Sequence, residues 1–124
     1  MSKQNDKYNS QNLLKSKDLK WLLIDFDKTI AQQASGPNYT PGDPMPGVQE
    51  ALKELQDMGY KIVVFTARHW ADVIVVEKYC EDHDIPYNKV ICGKPLGVLL
   101  IDDKGFHLTD WKKDLPKIKE RLEK

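Results

Sequence analysis

Two aspartates close a short apolar run near the start of the sequence. The run is WLLI, residues 21–24, and Asp25 and Asp27 follow it with Phe26 between them. Residues two apart on a strand, or on its immediate extension, face the same side, so the two carboxylates would crowd together. Such crowding is unfavourable unless a cation or a shared proton relieves it. The pair therefore indicates a site for a bound cation or for proton transfer.

A second acidic pair, Asp102 and Asp103, ends another apolar run, VLLI. Carboxylate oxygens suit a hard cation, and Mg²⁺ typically takes one or two carboxylates together with waters and phosphate oxygens. If the two runs are strands of one sheet, their four carboxylates converge on one edge. We therefore expect a Mg²⁺ site that draws on Asp25, Asp27, Asp102 and Asp103.

Two further side chains extend this chemistry. Thr66 ends the apolar run IVVF, and Lys94 lies in the loop GKPLG just before the last run. A hydroxyl donor, a lysine, backbone N–H groups and a divalent cation together neutralise a transferring phosphoryl group, which a carboxylate can attack to form an acyl phosphate. The residue set is that of aspartyl-phosphate chemistry.

The elements that must position these residues alternate between strands and helices. Continuous apolar runs predict strands at Trp21–Ile24, buried on both faces, at Ile62–Phe65 and, clearly, at VLLID, with a shorter one at KVIC. Helical spacing predicts three helices, within residues 46–59, 70–84 and 110–124, the last with Leu115, Ile118 and Leu122 facing inward. In the second, the β-branched run 73–76 would also suit a strand, but length and flanking charge favour a helix. Residues 31–46 hold four prolines and two glycines and must form a loop.

This alternation indicates a parallel α/β sheet, in which ligands bind beyond the carboxyl ends of the strands. One connection does not fit. Only residues 93–97 join KVIC to VLLID, and five residues span at most about 18 Å, whereas parallel neighbours usually need a crossover of about a dozen residues. We therefore expect KVIC to be very short, irregular or outside the main sheet.

Length and composition indicate one ordinary globular domain. The 124 residues are 40% apolar, with 19 basic and 19 acidic side chains, so bulk charge does not draw the protein to nucleic acid or to a membrane surface. No apolar run approaches the roughly 20 residues of a membrane span, and the N-terminus lacks the apolar region of a secretory signal. We expect a cytoplasmic protein with a flexible tail at residues 1–18, a single domain at residues 19–124 and two reduced cysteines.

The order of these motifs resembles the haloacid dehalogenase superfamily of phosphotransferases. Its four motifs are matched by DFDKT, by FTAR, by Lys94 in GKP and by LLIDD. The run TAR…IPY…GKP…G…IDDK is similar to compact phosphatases encoded with capsule and surface-polysaccharide genes. The resemblance implies a Rossmann-like, three-layer sandwich with a small, mostly parallel sheet. It also implies that no cap domain is present, so that residues 31–46 form only a flap.

The resemblance further implies a role for each motif residue in a Mg²⁺-dependent phosphatase. Asp25 would be the nucleophile. Asp27 would protonate the leaving alcohol and then activate water, while its backbone carbonyl ligates the metal. Thr66 and Lys94 would clamp the phosphoryl oxygens.

The remaining positions carry less specific expectations. Asp102 would ligate the metal directly, with Asp103 acting through water or by orienting Lys94. Arg68 and His69, just beyond the second motif, would grip the distal part of the substrate, with a surface salt bridge as the alternative for these two residues.

The substrate and the class of protein stay open at this point. A site without a cap suits a sugar phosphate, a bulky or macromolecular phosphoester, or a homo-oligomer whose neighbours supply the lid. Two rival functions are a receiver-like phosphoacceptor module, which shares the Lys94-Pro95 pair, and an idle scaffold that binds a phosphoester without turnover. Receiver domains place the acidic pair before the acceptor, which is the reverse of the order here.

Overall fold

The computed structural model describes residues 20–97 and 99–123. The predicted tail at residues 1–18 lies outside the described residues, as do residues 19, 98 and 124. Within the described part, no helix combines the length and the apolar character that crossing a membrane requires.

Three parallel strands form the sheet of the described chain. They are β1 (Trp21–Ile24), β2 (Lys61–Phe65) and β3 (Lys89–Ile91). The strand order is β1-β2-β3, and Ile24 lies opposite Val64, which in turn lies opposite Val90. The carboxyl ends of β1 and β2 therefore meet at one edge, where the sequence places the candidate site.

In residues 20–97 and 99–123, three α-helices accompany the sheet: α1 (Val48–Asp57), α2 (Val73–Asp82) and α3 (Trp111–Leu122). Gly47 precedes α1 with a φ of 83°, and Gly59 follows it with a φ of 100°, conformations that glycine adopts without the Cβ penalty. At the start of α3, Asp110 accepts a hydrogen bond from the backbone N–H of Lys113 at 2.9 Å, which caps the helix. All three helices lie within the predicted ranges.

The core lies between one face of the sheet and the helices. Crossovers between parallel strands are right-handed, so a consecutive strand order carries both connecting helices, α1 and α2, to the same face. The buried cluster agrees, because it joins strand residues to helix residues: Ile24, Ile62, Val64 and Val90 pack with Leu52, Leu55, Val76 and Cys80. The predicted α/β, Rossmann-like fold with a small parallel sheet is confirmed.

The opposite face of β1 departs from the prediction. Trp21 is 56% exposed and Leu23 is 57% exposed, although we expected β1 to be buried on both faces. That expectation is wrong for the described chain. The physical reason is the strand order, since it sends both crossover helices to the other face of the sheet.

The strand predicted at VLLID is also wrong. Residues 99–102 have no regular structure, and Leu99, Leu100 and Ile101 are each more than two thirds exposed, while Val98 lies outside the described residues. The free edge of β1 lies three strand spacings, about 14 Å, from β3, and the chain would also have to run back along the sheet. The five residues of the linker could cover that path only when nearly extended, and residues 99–102 do not take it in this structure. KVIC does join the sheet, as the very short strand β3 at the other edge, beside β2.

Residues 31–46, here called the flap, form an ordered loop with hairpin-like pairing. Antiparallel bridges join Ala31 to Pro44 and Ser35 to Thr40. The tip turns through Gly36 at a φ of 78° and Tyr39 at a φ of 54°. The predicted absence of helix and strand is confirmed, and the bridges give the flap a defined shape.

Candidate active site

A tight turn after β1 determines where the side chains of Asp25 and Asp27 lie. The backbone N–H groups of Ile30 and Ala31 both donate to the carbonyl oxygen of Phe26, at 2.9 and 3.0 Å. Lys28 adopts a φ of 66° at the corner, and its side chain is exposed. Phe26 itself is fully buried. Because Phe26 points into the core, Asp25 and Asp27 on either side of it remain at the edge of the sheet.

Lys94 reaches Asp25 from the loop after β3. Its Nζ atom lies 3.8 Å from Oδ1 of Asp25, and both side chains are partly exposed. The loop is held by a hydrogen bond from the backbone N–H of Lys94 to the carbonyl oxygen of Thr66, at 2.9 Å. Gly93 makes this turn with a φ of 85°, which a residue with a Cβ adopts only under strain. The structure thus brings together these two predicted site residues.

Partial burial raises the pKa of the Asp25 carboxyl above its ordinary value, while the Lys94 ammonium and a backbone hydrogen bond from Phe26 lower it and the charge of Asp27 raises it. The raised pKa means that desolvation outweighs the ammonium at this distance. A cation placed against Asp25 would restore the balance in favour of the carboxylate.

Thr66 lies at the carboxyl end of β2, beside the end of β1. Its side chain is buried, and its Oγ1 atom accepts a hydrogen bond from the backbone N–H of Arg68 at 3.2 Å. Because a hydroxyl can accept and donate at once, Thr66 can still donate its hydroxyl proton to another acceptor. Thr66 thus lies at the same edge of the sheet as Asp25 and Lys94, and its role as a phosphoryl clamp stays a prediction.

Arg68 and Asp27 form a bidentate ion pair. Arg68 Nε lies 3.0 Å from Asp27 Oδ2, and its terminal nitrogen lies 2.9 Å from Oδ1. The Arg68 side chain is only 7% exposed and that of Asp27 is 23% exposed. The salt bridge that we weighed for Arg68 is thus present, but it is buried at the site and not on the surface.

His69 occupies a structural position. Its Nδ1 atom accepts a hydrogen bond from the backbone N–H of Ala71 at 3.1 Å, which caps the short 3₁₀ helix Trp70–Asp72. The imidazole is also tilted against the ring of Trp70, with centroids 5.2 Å apart. The residue is exposed, so a substrate contact stays a prediction.

The second acidic pair does not join the first one in the described chain. Asp102 Oδ1 accepts a hydrogen bond from the backbone N–H of Gly105 at 2.8 Å, and both Asp102 and Asp103 are exposed. Across residues 20–97 and 99–123, no three Asp, Glu, His or Cys side chains lie close enough to hold a metal ion. The expected four-carboxylate convergence is therefore not formed, since VLLID does not extend the sheet.

Two hydrogen bonds that hold the flap were not predicted from the sequence. Arg68 donates to the carbonyl oxygen of Tyr39 at 2.8 Å, and the Tyr79 hydroxyl donates to the carbonyl oxygen of Gly42 at 2.6 Å. Both acceptors are backbone atoms, so side-chain type gives no signal for them. The sequence does carry a signal for the pairing of Arg68 with Asp27. Arg68 follows β2 at the same spacing at which Asp27 follows β1, and the two strands are parallel neighbours.

Comparison with known proteins supports the fold class alone. No protein-family model matches the chain, and no curated protein matches it significantly. A crystal structure of a target protein from Vibrio cholerae is similar, with a TM-score of 0.61 and 22% identity over 85% of this chain and 98% of that one. A conserved protein from Bacteroides thetaiotaomicron is similar with a TM-score of 0.59 and 21% identity, over 83% and 92% of the two chains.

Proposed function

We propose that this protein is a Mg²⁺-dependent phosphomonoester hydrolase of the haloacid dehalogenase type that acts through an aspartyl-phosphate intermediate. The observation that carries the proposal is the approach of Lys94 Nζ to 3.8 Å from Asp25 Oδ1 at the edge where β1 and β2 end. A nucleophilic carboxylate beside a fixed ammonium suits an incoming phosphate, because the ammonium offsets the charge that builds up on the phosphoryl oxygens.

Each residue at this edge has a task in the proposed reaction. Asp25 attacks phosphorus while the ester oxygen leaves, and water then cleaves the acyl phosphate to release inorganic phosphate. Lys94 and the Thr66 hydroxyl donate to the phosphoryl oxygens. Asp27 transfers a proton to the leaving oxygen and later takes one from water, which requires that it turn one oxygen away from Arg68.

The residues at the edge fit part of a Mg²⁺ shell. Mg²⁺ needs only one or two protein carboxylates when waters and a phosphate complete its shell, and Asp25 has a half-exposed carboxylate of the right chemistry. The main-chain carbonyl of Asp27 is the second proposed ligand. Asp102 or Asp103 joins only if residues 99–102 pack beside β1. When bound, Mg²⁺ neutralises the charge of the transferring phosphoryl group.

The proposed substrate is a sugar phosphate or a larger phosphoester. Asp25 is partly exposed, and the flap is the one inserted segment between β1 and α1 in the described chain. A short flap covers less of a substrate than an inserted domain would, so the ester group has room to extend outward. We also propose a cytoplasmic location, with a homo-oligomer as one way to cover the site.

The proposal is tested by hydrolysis of an aryl phosphate with and without Mg²⁺. Turnover should require Mg²⁺ and fall by at least about a thousandfold in Asp25→Asn, because the nucleophile is lost. Asp57→Asn is the matched control, since Asp57 pairs with Lys53 on the exposed side of α1. Undiminished turnover in Asp25→Asn would remove Asp25 from the reaction.

The hydrolysis assay, together with labelling by a small phosphodonor, separates the two rival functions from the hydrolase. A receiver-like module would be labelled by a small phosphodonor for minutes and would release little phosphate from an ester. An idle scaffold would bind a phosphoester without turnover or labelling. Either result would contradict the hydrolase.

A further inference from the structure

Arg68 contacts both the candidate site and the flap. One guanidinium makes the bidentate pair with Asp27 and donates to the carbonyl oxygen of Tyr39, at 2.8 Å, through the terminal nitrogen that also serves Asp27 Oδ1. The rings of Phe26 and Tyr39 lie 5.5 and 5.2 Å from its central carbon. A planar cation that is stacked and hydrogen-bonded in this way has few alternative positions.

From this geometry we infer that Arg68 is a positioning residue that couples the flap to Asp27. If the guanidinium moves, the carboxylate of Asp27 and the tip of the flap lose the same partner. Coupling of this kind is reciprocal, so a change at Asp27 must also alter the stability of the flap. The role differs from a grip on the distal part of the substrate, because Nε and one of the two terminal nitrogens of Arg68 already donate within the protein.

Tyr79 supplies a comparison within the same structure. Its hydroxyl donates to the carbonyl oxygen of Gly42 at 2.6 Å, so it holds the flap at a second point. Its ring meets that of Phe26 edge-on, with centroids 5.1 Å apart. Tyr79→Phe therefore loosens the flap without removing a partner of Asp27, whereas Arg68→Lys removes the planar fork that makes the bidentate pair and the bond to Tyr39 together.

The coupling has a consequence for the proposed reaction, and this part rests on the proposed function. The flap tip is held next to Asp27, the residue assigned to the leaving group. A substrate on Asp25 would then meet the flap with its ester portion. Arg68 thus holds the flap as one wall of the site. A contact between the flap and the leaving group can then affect Asp27 through Arg68.

The coupling itself is measured by amide hydrogen exchange, which does not depend on activity. The reporters are the N–H groups of Ser35 and Thr40, which pair across the flap at 3.0 and 2.9 Å. Arg68→Lys and Asp27→Asn should each speed their exchange by about tenfold, the size expected from the loss of a charge-assisted hydrogen bond. The double variant should exchange no faster than the faster single variant. Unchanged amides in α1 verify that the fold is intact.

Two results of the exchange experiment would overturn the coupling. One is wild-type exchange in Asp27→Asn, and the other is a double variant in which the two effects multiply. Tyr79→Phe combined with Asp27→Asn is the control pair, in which multiplied effects are expected because the two residues hold the flap separately.

Measurements of kcat show whether the coupling between the flap and Asp27 affects turnover. With an aryl phosphate, Arg68→Lys should lower kcat by about tenfold or more, whereas Tyr79→Phe should change kcat by less than about twofold. Equal losses of kcat would reduce Arg68 to a flap anchor and overturn its positioning role. Absence of turnover in the wild-type protein would reject the proposed hydrolase alone, because the exchange experiment still judges the coupling.

Discussion

Lys94 Nζ lies 3.8 Å from Asp25 Oδ1, although the two residues come from opposite halves of the sequence. Two features of the fold create this approach. Parallel pairing of β1 with β2 sets Asp25 at the level where β2 ends, and the turn at Gly93 brings the following loop back over that end. The pair is thus a product of the sheet register and of one glycine.

The Lys94 ammonium lowers the pKa of Asp25 against the larger effect of burial, which raises it. Lys94→Met should therefore raise this pKa further and move the acid limb of kcat/KM to higher pH, because only the ionised carboxylate attacks. Turnover at neutral pH should also fall by about a hundredfold, the scale on which removal of one fixed donor acts. A pH–rate profile with an aryl phosphate measures both effects.

Lys78→Met is the matched control for this prediction. Lys78 pairs with Asp82 on the exposed side of α2, away from the sheet edge. A similar shift of the acid limb in both variants would show that a general change in charge, and not the contact with Asp25, is responsible.

Much of the fold could be predicted from local patterns. The periodicity of Val48, Leu52 and Leu55 is a property of one segment, and so are the apolar runs of β1 and β2. The failures concern long-range pairing. VLLID has the composition of a strand, but composition does not show which sheet edge the chain can reach after a five-residue linker.

The candidate site likewise has a part that the sequence predicts and a part that it does not. Asp25, Thr66 and Lys94 meet because each follows a strand of one parallel sheet, a relation that the order of the apolar runs already implies. The role of Arg68 depends on one backbone carbonyl of the flap, that of Tyr39, whose direction follows from a turn conformation that side-chain identities do not specify.

The carboxylate of Asp114 predicts a pH dependence of stability. It accepts hydrogen bonds from Thr109 N, Thr109 Oγ1 and Asp110 N, at 2.7, 3.0 and 3.1 Å. The backbone N–H of Thr109, followed by that of Asp110, holds the pKa of this carboxyl below its ordinary value. The folded state therefore binds the proton less tightly than the unfolded state does.

The lowered pKa stabilises the fold above the unfolded value of about 3.9, and this contribution is lost as pH falls through the lower folded value. Asp114→Asn should lower Tm at pH 7, and the difference from wild type should shrink below about pH 4. Thermal melts across this range measure the effect, with the exposed Asp82→Asn as the control. A difference that stays constant with pH would contradict the assignment.

Leu23 and Leu52 test the exposure of the second face of β1. Leu52 is fully buried in α1, whereas Leu23 is 57% exposed. Leu52→Ala should cost about 2–5 kcal/mol in the free energy of unfolding, and Leu23→Ala should cost less than about 1 kcal/mol. Denaturant titrations compare the two variants. Equal losses would mean that a further part of the chain or a second copy covers Leu23 in solution.

Residues 99–102 provide the decisive test of how the proposed Mg²⁺ site would be completed. Leu99, Leu100 and Ile101 are exposed, and Asp102 is turned toward the N–H of Gly105. A strand beside β1 would hide part of Trp21 and Leu23 and would bring Asp102 to the level of Asp25. Binding of Mg²⁺ favours that arrangement to the extent that Asp102 adds a ligand.

We therefore expect the amides of residues 99–101 to exchange rapidly in the metal-free protein and to become protected with Mg²⁺ and beryllofluoride, a mimic of the aspartyl phosphate. Asp102→Asn should remove most of this protection, whereas Asp84→Asn, a change on an exposed turn, should leave it intact. Rapid exchange under all conditions would mean that the acidic pair takes no part in metal binding. Asp25 and the Asp27 carbonyl would then have to hold Mg²⁺ with water and phosphate alone, which predicts weak metal affinity without a bound substrate.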